Sequence, residues 1–372
     1  MTNRFLEHAL EIPGILRSEM NTLDQAGRSV LSNEEIGRIR QVYLYGSGDS
    51  FNAAVCAASA FMDLAGIPAQ PLVSLDASRY VAGVCVHQPA ESTLAIAISY
   101  SGEASRTLEA TLAFSGAGCR TLACTAFPES KIAHASWKTL PVHMPPSANL
   151  PGVATHVVLL TALYNLAIHI AEVRKTISAE LADQLRRELF SCPDVLEQAF
   201  LENPAQAKRF AADCDRFQRV EFLASGPVRG CADFAAAKVI ETEGFVASSQ
   251  DVEEFAHLNF FFTHPERIPT VLIGSSSARS LIRLQEIECS LQHLGRPYWV
   301  VTDGAAFAAG RENTILLEPK VREVFSSVLF SGVLAWMTAQ IDPSVGGGYF
   351  RSHAGPFSEE GYATIRQSKI VL

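Results

Sequence analysis

Short apolar runs alternate along the chain with longer segments of small and amphipathic residues. In the first half, the apolar runs at 42–45, 71–74, 94–99, 121–125 and 139–143 predict strands. The segments 51–64 and 103–115 between them predict helices. Strands that are separated by helices of this length indicate a parallel sheet covered by helices on both faces.

The second half of the chain repeats this pattern. Apolar runs at 220–224, 269–273, 298–301 and 314–316 predict strands, and segments 230–243 and 277–294 predict helices. A strand that runs into a glycine and then a helix occurs at Gly46 and again at Gly226, about half a chain apart, as a duplicated domain would give. We therefore expect two three-layer α/β/α domains with parallel sheets.

The domain boundaries follow from changes in composition. We predict an N-terminal helical segment at 1–37, a first α/β domain at 38–175, a polar helical connector at 176–207 and a second α/β domain at 208–340. The remaining tail, 341–372, reads as irregular, and a disordered tail is the alternative.

Charge and composition narrow the possible partners. The 372 residues are 48% hydrophobic and 19% charged, and the net charge of -9 disfavours nucleic acid and anionic membranes. An anionic substrate stays possible, because N–H groups at a helix start hold a phosphate without net positive charge. The apolar stretch 153–171 carries His156, Asn165 and His169 and is interpreted as a buried helix, with a membrane span as the alternative.

Cysteine usage bears on the compartment and on metals. The eight cysteines form no Cys-x-x-Cys pair and several lie within apolar patterns, which favours free buried thiols in a reducing cytoplasm over disulfides or a zinc site. The first sixteen residues mix both charges and do not resemble a signal peptide.

Two Ser/Gly-rich turns follow predicted strands of the first half. They are Gly46-Ser47-Gly48-Asp49-Ser50 and Ser99-Tyr100-Ser101-Gly102-Glu103-Ala104-Ser105. Glycines let a backbone approach an anion closely, and N–H groups and serine hydroxyls then donate to it. Neither turn completes a Walker A or a dinucleotide fingerprint. Each could alternatively be a plain β–α turn with an N-cap serine; their occurrence on neighbouring strands favours a phosphate site.

The segments "YLYGSGDSFNAA" and "AIAISYSGEASRTLEA" resemble the sugar isomerase (SIS) domain. The duplicated layout is similar to the isomerase half of glucosamine-6-phosphate synthase and to the related sugar-phosphate deaminases and fructosamine deglycases. The resemblance implies that the turns hold a sugar phosphate, through Gly46, Ser47, Ser50, Ser99, Tyr100, Ser101 and Ser105. It also implies sugar contacts from Val153 and Thr155 in "GVAT". The family's Thr after Gly-Glu is Ala104 here, and its Lys two residues beyond the Thr155 position is Val157.

Acid–base chemistry is expected from the second half. Its own Ser275-Ser276-Ser277-Ala278 segment holds no glycine, so we expect one phosphate site per subunit. Lys238 and Glu241 share a helix face, and an exposed ion pair is the alternative to a functional one.

The resemblance assigns roles to three residues, and Lys238 is a fourth catalytic candidate because of its place next to Glu241. Glu241 matches the catalytic carboxylate that moves a proton between C1 and C2, a task that suits a partly buried group with a raised pKa, and Lys238 lies beside it. His257, in "EEFAHLNFF", matches the ring-opening His, although Leu258-Asn259 replaces a Gly-Pro pair and a structural His is the alternative. Lys369 matches a tail lysine that reaches the substrate's carbonyl region.

The sequence thus predicts a phosphosugar isomerase, deaminase or deglycase that needs no metal or organic cofactor. No cysteine glutaminase domain fits before Arg38, so we do not expect a glutamine-dependent synthase. The resemblance further implies a homodimer in which His257 enters the neighbouring subunit's site. A sugar-phosphate sensor without turnover is the alternative.

Overall fold

Each half of the chain contributes one parallel sheet of five strands. The computed structural model describes residues 3–87, 89–144, 151–308, 310–341, 348–358, 360 and 363–372. The first sheet contains β1 (Gln41–Gly46), β2 (Ala69–Val73), β3 (Thr93–Ile98), β4 (Arg120–Thr125) and β5 (Lys138–Pro141). The second contains β6 (Arg219–Ala224), β7 (Val246–Asp251), β8 (Thr270–Ile273), β9 (Tyr298–Thr302) and β10 (Thr314–Leu316). The prediction of two α/β domains with parallel sheets is confirmed.

Helices connect the strands. In the first half of the chain they are α1 (Arg4–Leu10), α2 (Ile12–Ser29), α3 (Asn33–Arg38), α4 (Asp49–Asp63), α5 (Ser74–Asp76), α6 (Ser105–Gly116), α7 (Lys131–Ala135) and α8 (Ala154–Val173). Then follow α9 (Ala179–Glu202), α10 (Pro204–Phe217), α11 (Arg229–Thr242), α12 (Val252–His257), α13 (Leu281–His293), α14 (Ala305–Ala308), α15 (Glu323–Thr338) and α16 (Thr364–Gln367). A π-helical turn spans Ala77–Val81, and 3-10 turns span Ala82–His87, Ala90–Ser92, Gly226–Val228, Asn259–Phe261, Pro265–Arg267, Tyr349–His353 and Gly355–Phe357.

Contacts divide the chain into two units that are described separately below. The first-sheet unit comprises Ile15–Pro146, Thr155–Phe190 and Gly355–Leu372. The second-sheet unit comprises Met1–Gly14, Ser147–Ala154 and Ser191–Ala354. The boundaries drawn from the sequence at 38, 176, 208 and 341 stay predictions beside this division.

Both sheets have the same strand order. It is β2-β1-β3-β4-β5 in the first sheet and, read from the opposite edge, β7-β6-β8-β9-β10 in the second. The central strand β3 is buried at all six positions, in keeping with its apolar sequence TLAIAI. Strand β7 was not predicted, because its sequence VASSQD lacks an apolar run and lies at a sheet edge where it is only partly buried.

The long apolar stretch near residue 160 is a helix, α8, as predicted. By length and composition α8 could cross a membrane, yet 94% of its apolar window is buried inside the protein. Two of its polar side chains bond to the helix's own backbone: Thr161 donates to the Val157 carbonyl at 2.8 Å, and the Asn165 amide donates to the Thr161 carbonyl at 3.1 Å. The helix is therefore part of the interior, which explains its hydrophobicity.

Candidate functional site

The two Ser/Gly turns lie side by side at the carboxyl edge of the first sheet. Strands β1 and β3 pair in parallel, with Tyr45 opposite Ala97, so the turns after Gly46 and Ile98 leave the sheet next to each other. The order β2-β1-β3 makes this the point where successive connections run in opposite directions. Open α/β sheets bind ligands at such a switch point.

The first turn depends on two glycines. A Cβ on Gly46 would lie 2.7 Å from both the Cβ and the carbonyl carbon of Ser50, so the strand end and the start of α4 pack too closely for a side chain. Gly48 has φ +57°, in the left-handed region, and it forms the N-cap of α4. Ser47 is exposed and Ser50 is half-buried in the first turn of α4.

The second turn is held by its own backbone. The Gly102 N–H donates to the Ser99 hydroxyl at 3.1 Å, and the Glu103 N–H donates to the Ser101 hydroxyl at 3.3 Å. Gly102 has φ +65°, and a Cβ at this position would overlap the side chain of Ser130, at the start of α7. The turn after β4 therefore fixes the shape of the turn after β3.

Both helices that open from these turns begin without a capping side chain. The N-cap residues are Gly48 for α4 and Ala104 for α6, and neither makes a side-chain cap hydrogen bond in the described structure. The N-cap serine of the alternative interpretation is therefore absent from both helices. The first N–H groups of a helix lack partners within the helix and attract anions, so two such groups of donors face the same edge.

Charged and aromatic side chains flank the second turn. The Lys131 ammonium lies 2.8 Å from the Glu103 carboxylate, and this hydrogen bond is the main reason why the pKa of Glu103 is lowered. The Tyr100 ring contacts Phe127 edge-on, with ring centroids 5.6 Å apart, and burial raises the pKa of its hydroxyl. Tyr100 thus remains a neutral donor at ordinary pH.

The remaining predicted ligand residues of this unit lie at helix starts. Ser105 is the first residue of α6 and is buried, next to the uncapped Ala104. Thr155 is buried at the start of α8. Its neighbour His156 is fully buried, and its Nδ1 donates to the Asp49 carbonyl at 3.0 Å, so α8 supports the first turn. Val153 is buried just before α8 and falls within the second-sheet unit.

In the second sheet, the corresponding turn already holds an anion of the protein itself. Asp303, at the end of β9, is 3% exposed. Its carboxylate accepts the Ser276 N–H at 2.6 Å and the Ser275 hydroxyl at 2.9 Å. Gly274 separates the end of β8 from the Ser275–Ala278 segment, which itself holds no glycine. A cleft of about 670 Å³ opens here and is lined in part by Ser276, Asp303 and Lys320.

Lys238 and Glu241 form an ion pair on α11 of the second-sheet unit. The Nζ of Lys238 lies 2.6 Å from the Oε2 of Glu241. The Lys238 side chain is 0% exposed and that of Glu241 is 31% exposed, so the expectation of an exposed pair does not describe the lysine. The Lys238 ammonium also lies 5.1 Å from the centre of the Phe234 ring. A buried ammonium needs a partner, and the half-buried carboxylate provides one that still reaches solvent.

His257 ends α12 on the surface of the second-sheet unit. Its side chain is 65% exposed, and its Nε2 lies 3.0 Å from the Glu253 carboxylate. The segment that follows is anchored: Asn259 is buried and donates to the Glu221 carboxylate, which also pairs with the buried Arg296. Asn259 thus anchors the chain after His257 in a buried polar cluster.

Lys369 belongs to the first-sheet unit, where its exposed side chain lies on the C-terminal segment. The carbonyl oxygen of Lys369 accepts a hydrogen bond from the Arg106 guanidinium, in the first turn of α6. The structure therefore places Lys369 beside the helix that follows the second Ser/Gly turn. Glu241, Lys238 and His257 lie in the other unit.

Sequence reasoning missed several supporting residues. Four of them belong to no recognisable motif: Ser130, His156, Glu109 and Asp303. Each makes its contact with a residue that is distant in the sequence. Asp303 had one available signal, an acidic residue two positions after a predicted strand end.

Comparison with known proteins agrees with this geometry. Residues 35–170 match the SIS domain family. A curated relative, glutamine–fructose-6-phosphate aminotransferase (isomerizing) of Clostridium perfringens, is 26% identical over 227 residues, which are 61% of this chain and 36% of that protein. The chain thus matches only about a third of this relative's length.

Solved structures share the fold over nearly the whole chain. The C-terminal domain of glucosamine-fructose-6-phosphate aminotransferase from Francisella tularensis superposes with a TM-score of 0.78 at 17% identity, covering 92% of this chain and 96% of that one. A phosphosugar isomerase-like protein from Silicibacter pomeroyi gives a TM-score of 0.75 at 21% identity, covering 92% and 100%. At these identities the likeness establishes the fold.

Proposed function

We propose that this chain, which contains a SIS domain at residues 35–170, binds a hexose 6-phosphate at the carboxyl edge of its first sheet and transfers a proton between C1 and C2 of the sugar. One observation carries the proposal: two neighbouring helices, α4 and α6, begin at Ser/Gly turns without a capping side chain. The first turns of both helices lie at the edge where the sheet's switch point would place a ligand.

The phosphate would be held mainly by neutral donors. The hydroxyls of Ser47, Ser50 and Ser101 lie on the two turns, and Gly46 and Gly102 let the backbone come close. The names of the relatives, a fructose-6-phosphate aminotransferase and a phosphosugar isomerase, support a sugar phosphate as the ligand.

Proton transfer would be the task of Glu241. Its carboxylate is 31% exposed and lies 2.6 Å from the Lys238 ammonium, so it is held in place and still open to a substrate. The carboxylate would take the proton from C2 of an open-chain aldose, leaving an enediolate with the negative charge on O1, and return it to C1 while the proton on O2 moves to O1. On a 2-amino aldose phosphate the same shift yields a C2 imine, which water cleaves to release ammonia. On a fructosamine phosphate the reverse shift, from C1 to C2, yields a C1 imine, which water cleaves to release the amino acid.

Ring opening and carbonyl contact would fall to His257 and Lys369. We propose in addition that two chains associate and that His257 acts in the partner's site, since its side chain is 65% exposed and contacts Glu253. Mixing inactive His257→Ala and Glu241→Gln chains should restore part of the activity, about a quarter of the sites being intact in a randomly mixed dimer with shared sites. No recovery after re-association would reject the shared site.

Ligand binding tests the phosphate site directly. Fructose 6-phosphate and glucosamine 6-phosphate should raise Tm, and the unphosphorylated sugars should not. The double variant Ser50→Ala/Ser101→Ala should weaken binding about tenfold to a hundredfold, as expected for lost hydrogen bonds to a charged group. Ser59→Ala, whose hydroxyl bonds to the Cys56 carbonyl further along α4, is the matched control and should bind normally. Equal stabilisation by free sugars would overturn the phosphate site.

Turnover separates an enzyme from a sensor. Isomer, ammonia and amino acid should be measured with fructose 6-phosphate, glucosamine 6-phosphate and a fructosamine 6-phosphate. Glu241→Gln should lower kcat at least about a hundredfold while leaving binding nearly unchanged, because it removes the base and not the phosphate contacts. Tight binding without any product would favour the regulatory alternative.

A further inference from the structure

Glu109, on the second turn of α6, is a fully buried carboxylate with an unusual number of donors. Its side chain is 0% exposed. The Arg79 guanidinium lies 2.8 Å from Oε1 and the Arg106 guanidinium 2.5 Å from Oε2. The Ser78 hydroxyl donates to Oε1 at 3.1 Å. Although burial acts to raise it, these contacts and the hydrogen bond from the Val371 N–H lower the pKa of Glu109.

Two of these groups also hold the C-terminal segment. The Val371 N–H donates to the Glu109 carboxylate at 2.7 Å, and Arg106 donates to the Lys369 carbonyl. The Arg106–Glu109 ion pair thus hydrogen-bonds to one N–H and one carbonyl of the segment. Lys369 comes two residues after the short helix α16, which itself packs against α6.

The segment passes beside the candidate phosphate turn. Glu103 belongs to that turn, and hydrogen bonds from Lys131 are the main cause of its lowered pKa, to which the positive charge of Arg366 adds. Arg106 and Glu109 follow the turn directly, on the first two turns of α6. Their contacts with residues 369 and 371 therefore lie on the two helical turns next to the phosphate turn.

We propose that Glu109 and Arg106 are positioning residues that anchor residues 369–371 on α6 and thereby place Lys369 at the phosphate turn. The inference rests on the proposed function, because it assumes that this turn binds the substrate. Neither residue has to touch the sugar phosphate: Glu109 is enclosed, and its role is exerted through the backbone of the segment.

The anchoring can be tested without disturbing the buried cluster. Val371→Pro removes the N–H that donates to Glu109 and leaves Glu109, Arg79 and Arg106 unchanged. Val371→Ala keeps the N–H and is the matched control, since the Val371 side chain is exposed. In the ligand-free protein, amide exchange of the peptide 363–372 should rise about tenfold to a hundredfold with proline, the effect of a lost hydrogen bond to a charged acceptor, and stay at the parent rate with alanine. Equal exchange in both variants would refute the anchoring.

The link to the site is tested by activity and phosphate binding. Val371→Pro should lower kcat about tenfold or more with fructose 6-phosphate or glucosamine 6-phosphate, while the Kd for inorganic phosphate stays unchanged because the turn is intact. A freed segment with unchanged kcat would overturn the positioning role. If the parent protein binds none of the sugar phosphates, the proposed function fails, and the exchange rates alone then decide whether Glu109 holds the segment.

Discussion

At the scale of single residues, one missing side chain shapes the candidate phosphate turn. Gly102 lies in the left-handed region, and the space where its Cβ would stand is filled by Ser130. Ser130 in turn caps α7 by accepting the Ala133 N–H at 3.4 Å. The turn after β3 and the turn after β4 are thus interlocked by a glycine and a serine.

Replacing this glycine should therefore be costly. Gly102→Ala should lower the free energy of unfolding by about 2–4 kcal/mol, because it combines a left-handed alanine with overpacking against Ser130. Gly116→Ala, at the exposed end of α6 with nothing within 4 Å of the new Cβ, is the control and should be neutral or slightly stabilising. Urea denaturation of both variants measures the difference, and similar losses in both would contradict the interlock.

Single residues also show which contacts can be predicted from the sequence and which cannot. The Lys238–Glu241 spacing predicts a shared helix face, and the structure pairs the two at 2.6 Å. That Lys238 is enclosed could not be predicted from the helix, because burial depends on what packs over it. The hydrogen bonds that link Arg106 and Glu109 to residues 369–371 join positions more than 260 residues apart, and no local sequence pattern predicts such contacts.

At the scale of elements, the donors of the turn after β8 are occupied by Asp303, the residue that follows β9. Asp303 accepts one backbone N–H and one hydroxyl, the same kinds of donor that the first sheet presents to a ligand. This carboxylate gives a physical reason to expect one phosphate site per chain.

Removing the carboxylate should expose these donors. Asp303→Ala should cost about 1–3 kcal/mol of stability, because the Ser276 N–H and Ser275 hydroxyl lose their acceptor. Millimolar inorganic phosphate should recover part of the lost Tm in this variant alone. Asp303→Asn, which can keep both hydrogen bonds, is the control and should need no rescue. A Tm loss that phosphate leaves unchanged would show that the turn does not accept an external anion.

Elements were predicted well where the sequence is apolar and poorly where it is not. Strand β3 and helix α8 are buried and follow from their composition. Strand β7 pairs with β6 through a backbone ladder that any side chain permits, so its polar sequence gave no periodic apolar signal. The two Ser/Gly turns were identifiable because glycine and serine are required there by backbone geometry.

At the scale of the whole molecule, the burial of the cysteines shows how closely the interior of each unit is packed. Seven of the eight are buried and only Cys289 is exposed, all of them as free thiols. Burial raises the pKa of Cys119 and of Cys124 to about 12, which suppresses the reactive thiolate as well as access to it.

A thiol titration should reflect this distribution. Under non-reducing conditions the native protein should react rapidly with a thiol reagent at one cysteine per chain, and the unfolded protein at eight. Cys289→Ser should abolish the rapid native reaction. Several fast thiols in the native state would argue against the packing described here, and fewer than eight after unfolding would reveal a disulfide.

The carboxylate of Asp303 has a consequence for how such a duplicated protein can change over time. If one side chain occupies the second anion position, binding there was lost, or can be regained, by a single substitution rather than by rebuilding a turn. Homologues with a small uncharged residue at this position should accordingly bind two phosphates per chain, and homologues that keep the acid should bind one.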